Sequence, residues 1–386
     1  MSDPAAFRRV MATATITLLL AVHVVIAGIE MAHSGRALPD FVRYYEIATA
    51  PGRPFLDYQV EHPPITLLVF RTLAAATNDR HGFAFALVAL NLCADLAIVV
   101  TLWWAWGRWA VLFYLAVMWP MLSIVVDRVD LLSTAAATIG VALWTRRRQV
   151  SGGLAFALGA GFKLWPLPLS VVLLTGRNAR QRQRGAWALA IGYAALVIAW
   201  IAIARLDGMW QVLTFRSARG WQIEGTVGSV LRLFGDSSLR LESGSWRIGV
   251  IPSALAIALF LVATPLAAAV SAAGGRTGLP GTGWIASIGL LLVCSPLFSA
   301  QYIIWLAPGA AIAWLEGERV AAGLVAATVL LTGIFMRKYG DVLAGATPAV
   351  LLVIARNALL CLAVGVALKA LRERRLAGSC RHACSG

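Results

Sequence analysis

The chain has 386 residues, 60% of them hydrophobic and only 13% charged, with a mean hydropathy of +0.77. Soluble domains are about a quarter charged, so composition excludes a soluble enzyme and specifies an all-α, polytopic membrane helical bundle. The net charge of +15 would point to nucleic acid in a soluble protein; here it reads as basic cytoplasmic loops, and no nucleic-acid partner is expected.

Val10 to Met31 is long enough to span, and no small-residue cleavage pattern follows it. It reads as a first transmembrane helix and not as a removable signal. A long outer loop follows, about residues 32–82. In it Pro39 starts a short amphipathic helix, with Phe41, Tyr44, Tyr45 and Ala48 at helical spacing, lying along the membrane. Asp40 at its start has two readings: an N-cap that accepts backbone N–H groups, or a general base held at the membrane surface. The stretch Phe55-Leu56-Asp57-Tyr58-Gln59-Val60-Glu61-His62-Pro63-Pro64 is biased to extended structure by its prolines. Its charges are those of a rigid solvated loop or those of a site. Ile65 to Thr77 is apolar but short and interrupted by Arg71, and reads as an interfacial helix on the outer face.

Crossing segments then begin at Phe83, Trp109, Leu131, Trp187, Val250, Trp284, Tyr302, Val320 and Ala349. Asp127-Arg128-Val129-Asp130 is a tight outer turn, either an ion-paired helix end or part of a site. Residues 151–175 carry basic clusters at both ends and Lys163, Pro166 and Pro168 in the middle. Two half-length helices meeting near Lys163 keep both clusters on one side, because each proline removes a backbone donor and breaks the turn before it. An ammonium inside a bilayer costs about 3 kcal/mol. Lys163 therefore needs a partner, either the intramembrane Asp95 in a structural pair or an anionic ligand group.

Placing Arg8, Arg9, Arg108, Arg146 to Arg148, Arg177 to Arg184, Arg276, Arg319 and Arg372 to Arg375 in the cytoplasm gives about twelve passages with both termini inside. The chain is then one domain over residues 1–375 with a cytoplasmic tail at 376–386. A second long outer loop covers 205–249, and the turn from Ser295 to Tyr302 lies on the same outer side. Eleven of the eighteen acids fall on that side: Asp40, Glu46, Asp57, Glu61, Asp79, Asp127, Asp130, Asp207, Glu224, Asp236 and Glu242. Cys93, Cys294 and Cys361 lie in apolar runs, where a thiol is a small hydrophobe. Cys380, His382 and Cys384 in the tail are too few to complete a metal site.

Read together, Asp40 with Tyr44-Tyr45, then Glu61-His62-Pro63-Pro64, Asp127-Arg128-Val129-Asp130, Phe162-Lys163-Leu164-Trp165-Pro166 and Phe298-Ser299-Ala300-Gln301-Tyr302-Ile303-Ile304-Trp305 resemble the GT-C superfamily of polyprenyl-phosphate-sugar-dependent glycosyltransferases. The order is most similar to the bacterial glycosyltransferase family 87, which includes mannosyltransferases of lipoglycan assembly, and covers roughly residues 10 to 320. The resemblance implies a GT-C-like bundle in the bacterial plasma membrane that transfers a hexose, with mannose the first expectation. The donor is a polyprenyl-phosphate sugar and the acceptor a lipid-linked or glycan hydroxyl, both met on the outer face.

By the resemblance Asp40 is the base and polyprenyl phosphate the leaving group. Arg128, Lys163 and His62 face its charge, while Tyr44, Tyr45, Glu61, Asp127, Asp130, Gln301 and Tyr302 complete the substrate site. Asp57 is a second candidate base. The family's paired acids early in the first loop are absent here, since Asp40 has no acid beside it; no metal and no cofactor are expected. Two other classes compete: a transporter using buried Asp95 and Lys163, and a noncatalytic envelope-pathway subunit, for which the outer acids are dispensable.

Overall fold

A computed structural model describes residues 4–33, 39–77, 79–213, 219–235, 238–242 and 244–383. In chain order these form α1 (Pro4–His33), α2 (Pro39–Thr49), α3 (Pro64–Ala76), α4 (Arg80–Trp106), α5 (Arg108–Met118), α6 (Leu122–Val125), α7 (Asp130–Thr145), α8 (Gln149–Phe162), α9 (Pro166–Ser170) and α10 (Ala179–Leu213). A short mixed region follows: β1 (Trp221–Gln222), α11 (Thr226–Leu233), β2 (Arg240–Glu242) and β3 (Ser245–Ile248). The chain continues through α12 (Ser253–Thr277), α13 (Pro280–Cys294), α14 (Ala307–Leu315), α15 (Arg319–Met336), α16 (Tyr339–Ala344) and α17 (Thr347–Ala383).

The helical bundle is as composition requires, and every apolar run read as a crossing is helical. Among the described residues, seven helices are long and apolar enough to cross a membrane, the first being Val10–Ala32. The other apolar helices, including α3, α7, α8 and α13, have 10–17 residues. At 1.5 Å per residue a 15-residue helix reaches about 22 Å, short of a hydrocarbon core of about 30 Å. Seven helices of crossing length are therefore present among the described residues, where about twelve passages are expected.

The half-length pair is present. α8 stops at Lys163, whose backbone is extended (φ −151°, ψ 142°), and α9 restarts at Pro166 before a 3-10 turn over Val171–Thr175. α8 packs on α7 and α10 through small residues. A Cβ on Gly192 would lie 2.7 Å from that of Ala157, and one on Gly140 would lie 2.8 Å from the Phe156 ring. Where lipid leaves no hydrophobic drive between helices, this close backbone approach and its dispersion contacts hold the pair together.

Some of the most buried polar groups inside the bundle are paired. His23 Nδ1 lies 2.7 Å from Asp95 Oδ2, Tyr114 donates to Asp95 Oδ1 at 2.5 Å, and His23 Nε2 faces the Leu115 carbonyl at 3.3 Å, tying α1, α4 and α5. Glu316 accepts from the Gly281 and Thr282 N–H groups at 2.7 and 2.9 Å, satisfying the start of α13.

Three expectations change. Asp40 is inside the first turn of α2 and not its N-cap, because the helix already begins at Pro39. The second long loop is not irregular: α10 continues past a break at Arg205 (φ 56°) to Leu213, and β1–β3 form a sheet in the order β1-β3-β2. The stretch read as a tail at 376–386 continues α17 as far as Ala383. Asp236 and Cys384 lie outside the described residues.

Candidate functional site

The first loop, the turn between α6 and α7, the break after α8, the mixed region and residues 295–302 converge on one cavity of about 720 Å³. Such a volume suits a small-molecule site. Its lining includes Asp40, Tyr44, Glu61, His62, Asp127, Arg128, Lys163, Gln301 and Tyr302, so nine sequence-selected residues meet there.

Local structure explains the convergence. α2 buries Phe41, Tyr44, Ile47 and Ala48, which turns Asp40 and Arg43 toward the cavity. Tyr44 stacks on Phe70 of α3 at 4.6 Å and meets the His62 ring edge-on at 5.6 Å. Arg43 pairs with Glu61, and Glu61 Oε1 lies 3.4 Å from His62 Nε2. Arg128 reaches across to Asp40 Oδ2 at 2.6 Å.

Deeper in, Lys163 Nζ lies 2.7 Å from Asp130 Oδ1, and the same oxygen accepts the Trp305 indole N–H at 2.7 Å. Lys163 also sits 4.4 Å from the centre of the Tyr302 ring, which stacks on Trp305, which in turn stacks on Trp165. A carboxylate and two aromatic faces thus compensate the buried ammonium.

These contacts correct four expectations. Lys163 does not pair with Asp95; its partner is Asp130, and Asp95 is enclosed by His23 and Tyr114. Tyr45 does not line the cavity and packs on Phe83 at 5.5 Å. Asp130 is buried behind Lys163 and holds it in place without lining the cavity itself. Asp57 is on the exterior, held by the Arg53 backbone N–H at 2.7 Å, which keeps its carboxyl below the usual range. Of the two candidate bases in the first loop, Asp40 lines the cavity and Asp57 does not.

The electrostatics are balanced and not strongly basic. Burial pushes the Asp127 carboxyl up to about 7, against the opposing pull of Arg128. Asp127 Oδ1 and Arg128 Nε face each other as an ion pair at 3.7 Å, and His62 Nε2 faces Glu61 at 3.4 Å, without a hydrogen bond to any of the three among the described residues. These atoms are thus compensated by charge and keep hydrogen-bonding capacity toward the cavity. No group of three or more His, Cys, Asp or Glu side chains able to hold a metal occurs among the described residues.

Sequence reading missed the cavity's second wall. Ala256, Leu259, Phe260 and Ala263 of α12 line it at i, i+3, i+4 and i+7, one face of a helix apolar enough to span. It also missed Gln222, Glu224, Trp246 and Arg247 of the mixed region, and Tyr339 beyond α15. Glu224 accepts from the Ala300 N–H and from Tyr339 at 2.9 Å, so it anchors the 300–306 turn that carries Tyr302 and Trp305. Its place among the outer acids is the one signal the sequence holds, since its burial against Ala300 and Tyr339 is visible only in the fold.

Comparison with protein-family models, with curated proteins and with solved structures gives no match.

Proposed function

We propose that the chain is an integral membrane, inverting glycosyltransferase that moves a hexose, mannose first among candidates, from a polyprenyl-phosphate sugar to a lipid-linked or glycan hydroxyl. One observation carries this reading. A single cavity joins a mouth of paired acids and bases to an apolar wall supplied by the spanning helix α12. A sugar phosphate on an isoprenoid tail has the same division between a polar head and an apolar chain.

The chemistry follows from the side chains. With Oδ2 of Asp40 on Arg128, Oδ1 is the oxygen an acceptor hydroxyl would approach. As that hydroxyl attacks the anomeric carbon, the bond from carbon to phosphate oxygen breaks and Asp40 takes the proton, so polyprenyl phosphate leaves and the anomeric centre inverts. Arg128 and His62, both in the cavity lining, are the donors that would meet the growing phosphate charge by preorganised donation. Lys163 already has Asp130, and contributes mainly by fixing the break between α8 and α9. On this reading the cavity opens to the outer face of the bacterial plasma membrane, with the termini cytoplasmic.

The test is donor use. Purified chain in nanodiscs, given polyprenyl-phosphate mannose and a mannoside acceptor, should release polyprenyl phosphate and form an inverted glycoside. GDP-mannose should give no product. Transfer from the nucleotide sugar alone, or from neither donor, contradicts the proposal.

A further inference from the structure

The small sheet over the cavity has a polar feature that the donor chemistry does not use. Gln222 on β1 and Arg247 on β3 are cross-strand partners. Directly opposed residues of an antiparallel pair share a face. Both are 2% exposed, and both line the cavity. The backbone of Gln222 is fully engaged: its N–H donates to the Pro296 carbonyl at 3.0 Å, and its carbonyl accepts from Gly225 at 2.9 Å. Arg247 is fixed in place by donating to the Gly220 carbonyl at 2.8 Å. Yet the side-chain Oε1 of Gln222, buried at the cavity wall, has no hydrogen-bond partner among the described residues.

An unpaired buried carbonyl oxygen needs a donor. A phosphodiester and a carboxylate have none to offer, whereas a hydroxyl does. Away from the sheet, Arg43 with Glu61, Arg128 with Asp40 and Lys163 with Asp130 are matched pairs. We infer that Gln222, backed by Arg247, forms a subsite that reads a hydroxyl of a neutral, polyhydroxylated ring. The inference rests on the transferase reading only for the source of that ring, which is either the donor's sugar or the acceptor.

The probes are methyl α-mannopyranoside, its hydroxyl-free counterpart 2-methoxytetrahydropyran, and farnesyl phosphate. Each is titrated into the full chain in nanodiscs by saturation-transfer NMR, for wild type, Gln222→Met and Gln222→Glu. Wild type should bind the mannoside and not the hydroxyl-free ring. Gln222→Met, which keeps the shape and removes the acceptor, should weaken the mannoside about tenfold, the cost of one lost buried hydrogen bond. Gln222→Glu retains an acceptor and should restore most of the affinity. Farnesyl phosphate should bind all three alike.

Equal mannoside affinity in wild type and Gln222→Met, or no mannoside binding by wild type, overturns the subsite. Mannoside binding that behaves as expected while farnesyl phosphate fails to bind supports the subsite and removes the lipid-phosphate reading. Adding saturating polyprenyl-phosphate mannose separates the sources. Displacement of the mannoside assigns the subsite to the donor's sugar, and simultaneous binding assigns it to the acceptor; either result supports a hydroxyl-reading site.

Discussion

Asp40 Oδ2 lies 2.6 Å from Arg128 Nη2, a contact that joins the helix of the first loop to the turn between α6 and α7. It sets the candidate base beside the candidate phosphate ligand, so each is held in place by the group whose chemistry complements its own.

Arg128 should matter for donor binding. Its guanidinium has one nitrogen on Asp40 and its Nε 3.7 Å from Asp127 Oδ1, too far for a hydrogen bond. A hydrogen bond to a charged group is worth about 1.5–3 kcal/mol, so Arg128→Gln should weaken polyprenyl-phosphate mannose binding roughly ten- to a hundredfold. Equilibrium titration in nanodiscs checks this, with the melting temperature as a control for folding. Unchanged affinity would remove Arg128 from the phosphate site.

The Lys163–Asp130 pair should act as a unit. Taking away one member of a buried ion pair leaves the other charge uncompensated and costs about 3–5 kcal/mol. Lys163→Met should therefore lower the melting temperature clearly, and Lys163→Met combined with Asp130→Asn should recover much of the loss. If the double variant melts no higher than the single one, the pair is not what stabilises the break after α8.

Asp95 should be structural. Tyr114→Phe removes the hydroxyl that donates to Asp95 Oδ1, at an expected cost of about 1–3 kcal/mol in stability. Sugar transfer per folded molecule should stay near the wild-type value. Proton-coupled flux in liposomes, abolished by Asp95→Asn, would instead favour the carrier reading.

Asp127 gives a pH dependence with a definite sign. Burial raises its carboxyl from 3.8 to about 7. Below about pH 4 it is protonated in both folded and unfolded chains. Between there and about pH 7 only the fold keeps the proton, and above about 7 both states are ionised. Its contribution to stability is thus full at low pH and is lost as the pH rises through about 7. Protonation also removes a negative charge beside Arg128. The affinity for polyprenyl-phosphate mannose, whose phosphodiester does not titrate in this range, should be higher at pH 6 than at pH 8. Asp127→Asn should flatten that difference at the tighter value; a slope that persists in the variant would place the titrating group elsewhere.

Much of this was legible in the residues because the physics is local. Apolar runs gave helices, Pro166 and Pro168 after Lys163 gave the broken pair, and the acid-rich segments gave most of the cavity mouth. Pairing was less legible, because it depends on which helix faces which. Asp95 and Lys163 are both intramembrane charges, but the close packing of α1, α4 and α5 gives Asp95 to His23 and Tyr114, while Asp130 starts α7 next to the break. Tyr44 and Tyr45 are one residue apart, and the turn of α2 sends only Tyr44 inward. The sheet escaped notice because its strands have two to four residues, too few for an alternating pattern to stand out, and its cavity face is defined only by long-range pairing.

The central claim is that Asp40 takes the proton from the acceptor hydroxyl. It is tested most directly by single-turnover transfer from pre-bound polyprenyl-phosphate mannose, comparing wild type with Asp40→Asn at matched donor occupancy. The account predicts a rate lower by about 10²–10⁴, the usual contribution of a general base, with donor affinity and melting temperature little changed. A rate within a few-fold of wild type would contradict it.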